Sequence, residues 1–317
     1  MEEKWQQVLR RSRRKLLYRH LHSQSAASTA VTVASNVAEE LVEPGPEVST
    51  AKQLQIIQRV RVIADALQNS LLLKDALRVI VGHFRLIPAK TPVDEETKGG
   101  DVKDETNDVL TLVGYGLGSF CASSNAVHQL GFLVALKRAL DEMYCLTADA
   151  NGSETSDRIQ HGVELFDPAM NKSDAVIAEQ FKLKIIQVNE HARRRVVCNT
   201  VFFMPHCGKA LYQNVLACNW GPAIKKLVII GNSFSAYGDR VLAAEERQQL
   251  LLVSVLPYLE EVHLSCGVPK IHEDFTRYEA AFNDLSVHRF PPDLLDGALE
   301  TDKDLIARMA AVASSTG

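Results

Sequence analysis

Long apolar runs are missing from this 317-residue chain. No uninterrupted hydrophobic stretch approaches the roughly 20 residues that a membrane-spanning helix needs, so no membrane association is expected. The opening residues Met1-Glu2-Glu3-Lys4-Trp5 begin no apolar region of a secretory leader. Paired cysteines are missing too. Cys121, Cys145, Cys198, Cys207, Cys218 and Cys266 are widely spread, with no C-x-x-C. That disfavours a disulfide framework and fits reduced thiols in the cytoplasm or nucleus. The spacing of Cys198, Cys207 and Cys218 matches no standard zinc site, and no metal is expected. Neither sign of charge dominates: the formal net charge is -4, which argues against nucleic-acid binding by the chain as a whole. There is no internal repeat.

What the chain does contain is an ordinary globular composition, 46% hydrophobic and 23% charged. Its length is ample for one large core. Basic residues cluster in one place, at Lys4, Arg10, Arg11, Arg13, Arg14, Lys15 and Arg19. A solvated arm, a nuclear-localisation or nucleic-acid patch, and a mitochondrial presequence all fit this cluster. Glu2 and Glu3 count against the last. Residues 44–50, Pro-Gly-Pro-Glu-Val-Ser-Thr, read as a linker, with Thr50 placed to cap a following helix. The organisation expected is an arm and linker over 1–49, one domain over 50–300, and a C-terminal helix or tail over 301–317. Polar insertions are expected near 88–107 and 148–162.

Within the domain, Leu54, Ile57, Val60, Ile63, Ala64 and Leu67 recur at helical spacing, and a second helical run covers Leu71 to Phe84. Short apolar, β-branched runs then alternate with helical ones. Strands are expected at Val109–Val113, Val163–Phe166, Lys184–Val188, Asn199–Met204, Leu227–Ile230, Glu261–Leu264 and Leu285–Phe290. Helices are expected at Phe120–Leu140, Ser173–Phe181, Lys209–Asn219 and about Arg240–Leu256. This alternation predicts an α/β fold: a Rossmann-like, doubly wound, mostly parallel sheet with helices on both faces and an N-terminal helical extension.

Ligands of such sheets bind beyond the C-terminal ends of the strands, and there this sequence places four clusters. Gly114-Tyr115-Gly116-Leu117-Gly118-Ser119 could bring phosphate or ribose against backbone N–H groups, or be a bare turn. Its G-x-G-x-G spacing fails the dinucleotide fingerprint at Ser119. It is closer to the first motif of S-adenosylmethionine-dependent methyltransferases, although Leu112 stands where those carry an acid. Asp167 ends the next strand, either to bind ribose hydroxyls or to cap a turn before Pro168. His206 and Cys207 follow Pro205 as candidates for acid–base or thiolate chemistry, or for haem ligation, or as a structural turn. Asn232 and Ser233 follow Gly231 and offer polar contacts to the crevice. Since Ser235 follows Phe234, a hydrolase elbow is not indicated.

Taken together, Gly116-Leu117-Gly118-Ser119-Phe120, Phe166-Asp167-Pro168, Phe203-Met204-Pro205-His206-Cys207, Leu211-Tyr212, Asn219-Trp220 and Ile230-Gly231-Asn232-Ser233-Phe234 strongly resemble the sensitivity-to-red-light-reduced family. Ala281-Phe282-Asn283-Asp284 with Val287-His288 and Phe290-Pro291 looks like its C-terminal strand. The resemblance implies a regulator: circadian clock input through red-light signalling in plants, and haem biosynthesis and clock-gene expression in animals. A fungal relative is linked to microtubule stability. It brings no agreed catalytic mechanism. The expected occupant of the crevice is a small molecule (S-adenosylmethionine, a nucleotide or haem) or a regulatory protein partner.

Overall fold

The computed structural model describes residues 45–86, 110–144, 162–239, 250–295 and 298–315. The basic arm, the polar stretch at 88–107, nearly all of 148–162, and residues 240–249 of the helix expected at about Arg240–Leu256 lie outside these.

Two helices come first. Helix α1 (Thr50–Leu67) is capped by Ser49, one residue before the Thr50 expected from the sequence; its side chain accepts from the Lys52 N–H. Ser49 takes the role because its backbone is extended while Thr50 is already helical. Ile57, Val60, Ile63, Ala64 and Leu67 face inward, whereas Leu54 points out and is exposed. Helix α2 (Leu71–Phe84) is capped by Ser70 and stops at Arg85, whose left-handed backbone returns its N–H to Val81.

The sheet follows. Strand β1 (Leu110–Tyr115) leads to α3 (Ser124–Tyr144), and β2 (Gly162–Phe166) to α4 (Lys172–Glu179) and the two-residue β3 (Lys184–Ile185). Strand β4 (Asn199–Met204) leads to α5 (Lys209–Asn219), and β5 (Leu227–Asn232) directly to α6 (Phe234–Asp239). After α7 (Leu251–Ser254) come β6 (Glu260–His263), α8 (Phe275–Phe282) and β7 (Leu285–Arg289). Short helices α9 (Pro292–Leu295) and α10 (Ala298–Thr301) precede α11 (Lys303–Ser314).

The seven strands are ordered β3-β2-β1-β4-β5-β7-β6. Neighbours are parallel except at β7, which runs antiparallel to both β5 and β6. The winding reverses between β1 and β4, and in open α/β sheets ligands bind at such a switch point. One face packs on α1, α2, α3, α4 and α8 around Leu112, Leu133, Phe203 and Phe282. The other packs on α5, α6, α7 and α11 around Phe202, Tyr212, Ile229 and Phe234. The α/β architecture, mostly parallel and covered on both sides, is the one the alternation predicts.

Helix α1 lies across α3, where Gly131 permits the close approach: a Cβ there would meet Ile63 Cγ2 at 2.5 Å. Several boundaries shift by a few residues from the sequence reading, and three differences have a clear physical reason or consequence. Helix α3 starts at Ser124 rather than Phe120, because the Ser119 carbonyl turns the chain by accepting from Ala122 and Ser123. Edge strand β3 is only two residues, since β2 offers it only Glu164 and Leu165 as partners. The 275–282 segment forms a helix that the strand-centred reading passes over.

Candidate functional site

All four sequence clusters meet at the C-terminal ends of β1, β2, β4 and β5. Gly114 is inside β1 and does not face the crevice. A Cβ there would lie 2.7 Å from Leu165 and 3.2 Å from Leu117, so its role is packing. Gly116 and Gly118 both have left-handed backbones, with φ of 73° and 78°, which L side chains adopt only with strain. They fold the loop back so that the Gly116 N–H donates to the Phe166 carbonyl at 3.1 Å.

Asp167 closes this loop. One carboxylate oxygen accepts from the Gly118 N–H and the other from the Ala169 N–H, each at 2.8 Å. The loop N–H read as a phosphate donor is therefore satisfied by the acid read as a ribose acceptor. Cys207 sits beneath Gly116 and donates its S–H to the Tyr115 carbonyl at 3.3 Å. Burial pushes its thiol up to about 12, and the charge of Asp167 adds to that. Cys207 is thus a buried neutral thiol, not a thiolate nucleophile.

His206 has a left-handed backbone at φ 57°, uncommon for a non-glycine residue. Asn232 holds it there. The Asn232 side chain accepts from the His206 N–H at 2.7 Å and donates to the Cys207 carbonyl at 3.2 Å. The His206 Nε2 lies 3.1 Å from the Ala281 carbonyl, to which it can donate. Tyr212, reaching up from α5, donates to the Met204 carbonyl and accepts from the Asn232 N–H at 2.9 Å. Burial raises its phenol far above the ordinary value. Gly231 leaves room for this ring: a Cβ there would be 2.6 Å from the Tyr212 hydroxyl. Ser233 belongs to a different feature. Its Oγ accepts from Ala236 N–H, starting α6, and it lines a pocket toward β6 and β7.

Sequence reasoning missed two groups. Tyr115 ends β1 and donates to Glu190; Arg194 holds Glu190 through Nε and Nη2 at 3.0 and 2.8 Å and also binds Glu164. Burial pushes the Glu190 carboxyl up, but hydrogen bonds from Arg194 and Tyr115 outweigh it and hold it below its ordinary value. The i,i+4 spacing of Glu190 and Arg194 was the available signal, although the segment is not helical. The second group is His288 in β7, fully buried and stacked on Phe234 with ring centroids 3.9 Å apart. Its Nδ1 donates to the Ile229 carbonyl and its Nε2 accepts from the Phe234 N–H. Burial lowers its pKa to about 4, against the pull of Glu261 3.8 Å away. In the sequence it stands out only as part of the Val287-His288 segment that carries the family resemblance.

Among the described residues, no three His, Cys, Asp or Glu side chains gather as a metal site, and no helix is long and apolar enough to cross a membrane.

Comparison with known proteins follows the same residues. The SRR1 domain profile matches residues 67–289. Protein SENSITIVITY TO RED LIGHT REDUCED 1 of Arabidopsis thaliana is 26% identical over 230 residues, covering 70% of this chain and 76% of the plant protein. An SRR1-like protein of Mus musculus is 30% identical over 157 residues, 48% of this chain and 53% of that protein. An SRR1-like protein of Drosophila melanogaster is 24% identical over 193 residues, 59% and 57% of the two chains. This chain thus spans little more than half the length of the mouse and fly relatives. No solved structure matches. The matched region runs from the end of α1 through β7 and takes in every cluster at the crevice; the chain belongs to the SRR1 domain family.

Proposed function

We propose that this protein is a regulator in light or clock signalling that works by binding at the C-terminal edge of its sheet, not by turnover there. One observation carries this reading. The crevice groups that chemistry would need (Asp167, His206, Cys207 and Asn232) are hydrogen-bonded to the protein itself. A thiol nucleophile acts as the thiolate; here Cys207 is buried and neutral, and Asp167 is turned to the Gly118 and Ala169 N–H groups. The name of the plant relative, which ties that protein to red-light sensitivity, supports the pathway. Control of haem biosynthesis is the finer form of the proposal, with the protein acting on partners. A haem iron at Cys207 would first have to break its bond to the Tyr115 carbonyl.

A second reading is a methyltransferase-like enzyme binding S-adenosylmethionine. The G-x-G-x-G loop between β1 and α3 supports it, with Asp167 at the end of the adjacent strand.

Thermal unfolding against S-adenosylmethionine, its demethylated product, NAD(H), NADP(H), ATP, GTP and hemin separates the two. A ligand at 100 times its dissociation constant stabilises by about 2.7 kcal/mol. The regulatory reading expects no shift with S-adenosylmethionine. A shift with it that Gly116→Val abolishes would overturn that reading in favour of the enzyme.

A further inference from the structure

A cavity of about 330 Å³ opens between α1 and the first turn of α3. That volume is at the small end of the usual range for small-molecule sites. Its rim carries Lys52 and Arg59. They lie on one face of α1, about 10 Å apart along its axis, and side chains of their length can close on a group between them. Arg59 is directed toward α3, where its Nη2 donates to the Ser124 hydroxyl at 3.4 Å. Phe120 and Val127, both buried, give the cavity an apolar floor.

The polar wall of this cavity is made of donors. Ser123 and Ser124 add hydroxyls to the two cations. The Ser123 oxygen accepts from the Ala126 N–H at 3.3 Å and the Ser124 oxygen from Arg59, so each keeps its proton to donate. The helix end itself supplies little, because Ser123 takes the Ala126 and Val127 N–H groups. No carboxylate lines the cavity. Among the described residues, none comes within ion-pair distance of Lys52 or Arg59, whereas Arg138 of α3 does pair with Asp65 of α1, at 2.7 Å. Asp174, which holds the Cys121 N–H, is fully buried and turns its other oxygen to the Asn171 N–H. Two positive charges therefore face one cavity with no anion in it.

We propose that this cavity binds a phosphate monoester with an apolar body. The phosphate lies between Lys52 and Arg59, the Ser123 and Ser124 hydroxyls donate to its oxygens, and the body rests on Phe120 and Val127. A dianion matches the two positive charges. Its three terminal oxygens use the four donor groups more fully than the two oxygens and single charge of a carboxylate. The same charges repel metal ions and amines. None of Asp167, His206, Cys207 and Asn232 lines the cavity, so the inference does not rest on the function proposed above.

The test is calorimetric titration of the full chain at low salt with phenyl phosphate, and with inorganic phosphate as the same anion without the body. Wild-type protein is expected to bind phenyl phosphate saturably, and at least about threefold tighter than inorganic phosphate. Lys52→Gln and Arg59→Gln are each expected to weaken phenyl phosphate about fivefold or more. Neither residue is buried, and matching unfolding midpoints for the variants and wild type establish that the variants are folded. Arg61→Gln removes an exposed charge of the same helix outside the cavity and is expected to leave the affinity unchanged. The proposal is overturned if wild-type protein shows no saturable binding of phenyl phosphate at about 10 mM, ten times a millimolar dissociation constant. It is overturned equally if inorganic phosphate binds as tightly, if Lys52→Gln and Arg59→Gln bind as wild type does, or if Arg61→Gln weakens binding as much as they do.

Discussion

The sulfur of Cys207 occupies the space that a side chain on Gly116 would need: a Cβ at Gly116 would lie 2.4 Å from Cys207 Sγ. Two costs fall on Gly116→Ala. One is this overlap, and overpacking a buried site costs about 1–3 kcal/mol. The other is the left-handed backbone, φ 73°, which costs about 1–2 kcal/mol for a residue with a Cβ. Cys207→Ala removes the first cost and leaves the second. In urea unfolding, the double substitution is expected to be less destabilised than the two single effects added together. Strict additivity would show that the loop and the Pro-His-Cys turn are not packed on one another.

The same thiol gives a pH dependence. Its folded pKa of about 12 is above the ordinary 9.0. Between these values the unfolded chain has lost the proton and the folded one has kept it. Stability from this group is complete below pH 9 and is lost as pH rises toward 12. Cys207→Ala is expected to flatten the alkaline arm of a stability–pH curve relative to wild type. An unchanged slope would mean that Cys207 ionises freely in the folded protein.

Asn232 is the staple between the two turns. Asn232→Ala removes the acceptor for the His206 N–H and the donor to the Cys207 carbonyl. Each hydrogen bond contributes about 0.5–1.5 kcal/mol, and His206 is left in an unfavourable backbone without its anchor. A loss of about 2 kcal/mol is expected, with Asn232→Asp milder because it keeps the acceptor. Hydrogen exchange at the His206 amide should rise in Asn232→Ala. No change at that amide would remove Asn232 from the role.

Much of this was legible in the sequence. The strands that alternate with helices announce themselves because parallel strands are buried on both faces, so Val201-Phe202-Phe203-Met204 and Leu227-Val228-Ile229-Ile230 read as continuous apolar runs. The crevice residues could be named because a sheet of this kind ends its strands in one place. What those residues do was not legible. Asp167 and His206 look the same in sequence whether they face a ligand or their own backbone, and only the geometry shows Asp167 turned to Gly118 and Ala169. The antiparallel β7 was hidden because strand direction leaves no mark on residue type.

Arg194 tests the other side of β1. Its guanidinium spans Glu190 and Glu164, and Glu190 in turn receives the Tyr115 hydroxyl. The chain between β3 and β4 is thereby fastened beside the switch point. A lysine carries the charge but cannot make the forked contact. Arg194→Lys is expected to cost about 1–2 kcal/mol, a buried-pair penalty reduced because the group is partly exposed to screening water. Tyr115→Phe removes one donor and is expected to cost about 1 kcal/mol. Because Tyr115 and Arg194 both act through Glu190, the two substitutions combined should cost less than their sum. A double-mutant cycle by chemical denaturation measures this. Full additivity would show that Glu190 does not couple them, and that the linker is held at β1 by packing alone.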